Sequence, residues 1–183
     1  MNEGLISKRY AKALYDHAQD LGEESVLYHR MQILETLWRK MPELRNSLKS
    51  PIPVETKIGL LKNATGKNAE KSYLDFINLV VTNHRTDYIL MITLSYQLIY
   101  RKKKQINVVH LTSAKRLSSK AMERIRYFTD TQTSGRVEFT SRIDPSIVGG
   151  FIFQLNDLRI DASVKGQLEQ INRQLTLIKK SIL

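Results

Sequence analysis

The 183-residue sequence predicts an α+β chain of two domains: an N-terminal all-α six-helix bundle over residues 1–104, then a small α/β domain with a short sheet and two helices over residues 105–183. Three observations carry this. Apolar residues recur at three-to-four spacing almost without interruption from Leu5 to Arg101. The period falls to two just after Lys104. A final stripe, Val164, Leu168, Ile171, Leu175, Ile178 and Ile182, returns to helical spacing.

In the first domain the helical pattern breaks at Leu21 to Glu24, Met41 to Pro42, Ser50 to Pro53, Ala64 to Asn68 and Asn83 to Thr86, which divides it into about six helices. Pro42 and Pro53 each suit a first helical turn, where the missing N–H costs nothing. Ser50-Pro51-Ile52-Pro53 forces an extended link before Val54. The first helix carries two stripes: Ile6, Tyr10, Ala13, Leu14 and His17, and, about a third of a turn away, Ala11, Tyr15 and Ala18. Tyr73, Leu74, Phe76, Ile77, Leu79, Val80 and Val81 are apolar over most of a second helix's circumference. Two readings fit these faces: both helices are central to the bundle, or they border a groove for another protein's amphipathic helix.

In the second domain Gln105 to Thr112 alternates through Ile106 and Val108, and Arg136 to Ile143 through Val137, Phe139 and Ser141, as half-buried strands do. Ser118 or Ser119 caps the helix between them, which puts Met122, Ile125 and Phe128 on one side. Ile147 to Leu155 and Leu158 to Ile160 read as a hairpin turned at Asn156-Asp157. The last helix starts near Asp161 or Ser163. Its stripe is narrow enough for a coiled-coil seam, but with fewer than three full heptads the expected partner is the neighbouring sheet.

No sequence feature supplies catalytic chemistry. There is no cysteine, so disulfides, thiolate metal sites and a cysteine nucleophile are excluded. His17, His29, His84 and His110 stand singly, without the spacing of a metal site. No phosphate-binding glycine loop is present, and Gly149-Gly150 runs on as a strand, so the pair suits a bulge or a close backbone crossing. Asp157 and Asp161 read as a turn residue and a helix cap. No catalytic residue, metal or cofactor is expected. No signal peptide and no membrane-spanning stretch is expected either.

The net charge of +11 raises a nucleic-acid reading, the rival being an RNA-binding regulatory protein. The excess is shared, however, at +6 before residue 105 and +5 after it. Only Arg101 to Lys104 form a dense run, at a helix end where cations are favoured. The RNA reading explains the charge but not the second domain, and no nucleic-acid partner is expected.

Asp144 to Leu168, DPSIVGGFIFQLNDLRIDASVKGQL, resembles the signature of the ATP synthase delta-subunit family, whose mitochondrial counterpart is the oligomycin-sensitivity-conferring protein. Arg9-Tyr10-Ala11-Lys12-Ala13-Leu14 resembles the family's first-helix motif. Phe76-Ile77-Asn78-Leu79-Val80 with Asn83-His84-Arg85 resembles its fifth helix and following turn, His84 standing where many relatives have glycine or another small residue. The resemblance implies a non-catalytic stator subunit that links the catalytic head to the peripheral stalk, so that the head resists rotor torque. It implies that the amino-terminal helix of an alpha subunit sits between helices one and five, with Tyr10, Ala13, Leu14 and His17 on one wall and Phe76, Leu79, Val80 and Asn83 on the other. It implies that the second domain meets the b subunits. Membrane association would come only through the complex, at the cytoplasmic face of the bacterial inner membrane.

Overall fold

The computed structural model describes residues 3–66 and 68–182, with side chains described over 4–66 and 68–174. It divides into two compact units, residues 1–104 and 105–183.

The first unit holds α1 (Glu3–Asp20), α2 (Glu24–Lys40), α3 (Pro42–Lys49), α4 (Val54–Thr65), α5 (Lys71–Thr82) and α6 (Ile89–Lys103), with a 3₁₀ turn at Thr86–Tyr88. Pro42 opens α3 and Pro53 precedes α4, the positions their fixed φ favours. The apolar α6 is the hub and packs on α1 and α2, where Ile92 and Tyr96 are fully buried. The Tyr96 hydroxyl donates to the Glu24 carbonyl at 3.0 Å, which satisfies its one polar atom. The rings of Tyr28 and Tyr100 stack at 4.2 Å.

The dense basic run at the end of α6 is partly used by the fold. Arg101 Nε donates to the Tyr28 hydroxyl at 2.7 Å, and Lys104 Nζ pairs with Glu24 at 3.0 Å. Lys102 and Lys103 are exposed.

Both α1 and α5 stop through the same device. A residue in the left-handed region follows the helix, and its own N–H and that of the next residue reach back: Gly22 to Gln19 and Glu23 to Ala18 after α1, His84 to Val81 and Arg85 to Val80 after α5. His84 sits at φ 54°, which explains why a small residue is natural there.

The second unit is a four-stranded sheet in the order β2-β1-β3-β4, made of β1 (Ile106–Ser113), β2 (Arg136–Ile143), β3 (Gly150–Leu155) and β4 (Leu158–Ser163). Helix α7 (Ser119–Gln132) crosses over between the parallel pair β1 and β2, and β3 and β4 form an antiparallel hairpin. Ser118 is the cap of α7: its Oγ accepts from the Ala121 N–H at 3.3 Å. Register sets Val109 beside Phe139 and Leu155, and Leu111 beside Phe153. These build a core with Met122 and Ile125 of α7, and Phe128 meets Phe153 edge-on at 5.9 Å. The inward phase of β1 is therefore that of Val109 and Leu111, not that of Ile106 and Val108. Ile106 is buried where the strand enters, and Val108 is only half-buried while its N–H bonds to the Asn156 side chain.

Two further expectations are corrected. The segment Pro145–Ile147 is a 3₁₀ turn, so β3 begins only at Gly150, and β4 continues through Asp161 to Ser163. Asp161 is thus a strand residue. Ser163 is the cap of α8 (Val164–Ile182): its Oγ accepts from the Gly166 N–H at 3.0 Å and donates to Asp161 Oδ1 at 2.6 Å. The same Asp-x-Ser arrangement recurs where Asp144 Oδ1 accepts from the Ser146 N–H and Oγ at 3.0 and 2.6 Å. In both, the serine bonds hold the carboxyl below its ordinary range.

The described half of the α8 stripe is not laid on the sheet: Val164, Leu168 and Ile171 are exposed, and the helix packs chiefly on β4 and the 3₁₀ turn, while α7 covers the core face. The side chains of Leu175, Ile178 and Ile182 lie outside the described residues.

Gly149-Gly150 is the close crossing the sequence suggested. A Cβ on Gly150, at φ 73°, would lie 2.1 Å from the Ala162 carbonyl oxygen, and one on Gly149 would lie 2.9 Å from a Val164 methyl.

Candidate functional site

The two stripes of α1 have different fates. Ala11, Tyr15 and Ala18 are buried, with Tyr15 against Tyr96 at 6.1 Å. The other stripe faces an open groove of about 740 Å³ between α1 and α5, lined by Ile6, Arg9, Tyr10, Ala13, Leu14, His17, Asp75, Phe76, Leu79 and Arg85. Ile6 to His17 spans about 16 Å at 1.5 Å per residue, roughly three helical turns. That volume and length suit the side chains of a short helix.

Of the eight residues that the family resemblance implied for the groove walls, six line this groove. Leu14 and Phe76 form its floor, almost fully buried by their neighbours. Ala13 is exposed, and Tyr10 and His17 are half-buried. Leu79 stands at the lip with 52% of its surface accessible, a costly position for a leucine with nothing over it. Val80 is corrected to the core: it is fully buried, because α5 turns it 100° away from Leu79 and into the bundle. Asn83 lies just past α5 and acts on the groove indirectly, its Nδ2 donating to the Tyr10 hydroxyl at 3.4 Å.

Each end of the groove carries a polar link between the walls. At one end His17 Nε2 and Asp75 Oδ2 meet at 3.0 Å. At the other, the Arg85 guanidinium lies over the Tyr10 ring at 5.3 Å. These links run between residues 58 and more apart in sequence, so periodicity alone could not bring Asp75 and Arg85 into the site.

Two anchors fix where α5 begins. Glu70, the residue before it, makes no cap; instead Glu23, from the turn after α1, accepts from the Ser72 N–H at 2.8 Å. The bonds to Ser72 hold the Glu23 carboxyl below its ordinary range. Glu70 is gripped by Arg30, whose Nε and Nη2 both donate to its carboxylate, the latter at 2.9 Å. Arg30 also donates to the Thr65 and Asn68 carbonyls at 2.7 and 2.6 Å, which closes the α4–α5 link. Burial opposes the Glu70 charge, but the Arg30 bond and a backbone bond outweigh it and hold the carboxyl low.

Nothing in the groove forms a nucleophile-base pair, and no group of three or more metal-ligating side chains occurs among the described residues. No helix among them is long and apolar enough to cross a membrane.

Comparison with known proteins identifies the family. The family model "ATP synthase delta (OSCP) subunit" matches residues 6–175. The chain is 36% identical to ATP synthase subunit delta of Phocaeicola vulgatus, with 98% of each chain covered. It is 39% identical to that of Bacteroides thetaiotaomicron, with 95% of each covered. A chain of the Toxoplasma gondii mitochondrial ATP synthase hexamer shares the fold, with a TM-score of 0.72 at 20% identity over 96% of this chain and 98% of that one. The chain belongs to the ATP synthase delta (OSCP) subunit family, the non-catalytic delta component of the F-type ATP synthase peripheral stalk.

Proposed function

We propose that the unit of residues 1–104 holds the catalytic head by seating the amino-terminal helix of the alpha subunit between α1 and α5, while the unit of residues 105–183 meets the b subunits of the stalk. The observation that carries the first half is the open apolar groove, with Leu79 exposed at its lip and Leu14 and Phe76 at its floor. An apolar helix laid there would cover this surface, and desolvated anchors give the slow release that a load-bearing joint needs. The second half is supported by the uncovered stripe of α8, in which Val164, Leu168 and Ile171 repeat at four-then-three spacing as a helical partner requires. Load would pass from head to stalk through these two interfaces, so that the head stays still while the rotor turns. In this reading the protein is peripheral at the cytoplasmic face of the bacterial inner membrane, held there by its partners.

The cysteine-free sequence makes a direct test simple. Single-cysteine variants Leu79→Cys and Leu168→Cys, carrying a short photo-crosslinker in membranes bearing the assembled enzyme, are expected to label the alpha and b subunits respectively. Labelling of neither subunit, or the reverse pattern, would contradict the assignment.

A further inference from the structure

The groove is asymmetric in charge as well as apolar. Its one carboxylate, Asp75, is engaged by His17 at 3.0 Å. Its two guanidiniums, Arg9 and Arg85, have no carboxylate partner among the described residues. Arg85 is half-buried, positioned over the Tyr10 ring, and delivered to the groove by the backbone bond of its own N–H to the Val80 carbonyl at 2.9 Å. Arg9 precedes Tyr10 on α1 and lines the same cavity. A cation held in place at the edge of an apolar groove favours one complement, an acidic side chain on whatever helix fills it.

We infer that Arg9 and Arg85 form a carboxylate-reading end of the groove, and that they select a docked helix carrying Asp or Glu beside its apolar stripe. The inference rests on the groove being the alpha-subunit dock. It adds what that dock discriminates: the floor supplies affinity for any amphipathic helix, while the guanidinium end sets which helix and in which register. An apolar groove alone accepts a helix slid by one turn or reversed. A charge at one end penalises both, because each misplaces the acid.

The test is calorimetric titration of the full chain with a synthetic peptide of the alpha subunit's amino-terminal residues, at low and at about 0.5 M salt, where charges more than about 4 Å apart are screened. Arg9→Gln and Arg85→Gln are each expected to weaken binding about 3- to 10-fold at low salt, with the difference shrinking at high salt, and Arg85→Lys to restore part of it. The same peptide with every Asp and Glu replaced by Asn and Gln should bind wild type with little salt dependence. Unchanged affinity in both glutamine variants, or losses that persist equally at high salt, would overturn the inference while leaving the dock intact. No binding of the peptide to wild type would instead sink the dock itself, and the inference with it.

Discussion

Replacing Arg30 by methionine tests how the groove wall is held. The substitution keeps an apolar stem of similar length but deletes two bonds to Glu70, those to the Thr65 and Asn68 carbonyls, and the cation over the Tyr73 ring at 5.5 Å. The pair is well covered, with side-chain exposures of 11% and 14%, so Glu70 would keep a carboxylate that water reaches poorly. Removing one partner of a buried pair costs about 3–5 kcal/mol, and some access to solvent puts this case near the lower figure, about 3 kcal/mol. Trp38 is the sole tryptophan and lies buried in α2 of the same bundle, so its fluorescence in urea reads this unit. With a slope of about 1.5 kcal/mol/M, the midpoint should fall by roughly 2 M. The double variant Arg30→Met with Glu70→Leu should recover much of the loss, because no orphan charge remains. A midpoint for Arg30→Met within about 0.3 M of wild type would refute the clamp.

Further outcomes follow from single positions. Gly150→Ala should destabilise the second unit by more than about 2 kcal/mol, since its methyl meets a carbonyl oxygen and its φ is positive; faster hydrogen exchange in β3 and β4, with the Trp38 transition unmoved, would show it. His84→Gly should stabilise the first unit by about 0.5–1 kcal/mol, because glycine takes φ 54° without strain, and an equal or lower urea midpoint would contradict this. Asp161 is held below its ordinary range by Ser163, so its contribution is present above the unfolded pKa of about 3.9 and is lost as pH falls through the lower folded value. Circular dichroism melts of Asp161→Asn should therefore lose less stability than wild type between about pH 4 and pH 2; parallel curves would remove the linkage.

Much of the architecture is legible because it is periodic. The helix breaks at Pro42 and Pro53, the two faces of α1 and the shift to strands at residue 106 all follow from spacing and local turn chemistry. The eight residues marked by the family resemblance include six that line the groove, and the four of these on α1 already shared one stripe of the sequence, because a helix face is a sequence property. Val80 is the instructive miss. Beside Leu79 it has the same chemistry, and only the packing of α5 separates a lip residue from a core one. Asp75 and Arg85 were invisible as site residues because their partners lie on another helix. Ser163 as the true cap, with Asp161 left in β4, turns on how far β3 holds its neighbour, which hydrogen-bond register decides and local sequence does not.

The central reading is that the groove between α1 and α5 carries the chain's grip on the catalytic head. Ala13 is exposed on the groove side of α1, so Ala13→Asp should leave the bundle folded while placing a solvated charge where an apolar helix must lie. Titrating wild type and Ala13→Asp with the alpha subunit's amino-terminal peptide measures this directly. The expected result is saturable one-to-one binding by wild type and a loss of at least about 30-fold, some 2 kcal/mol, in the variant with an unchanged urea midpoint. Equal affinity in the two proteins would contradict it.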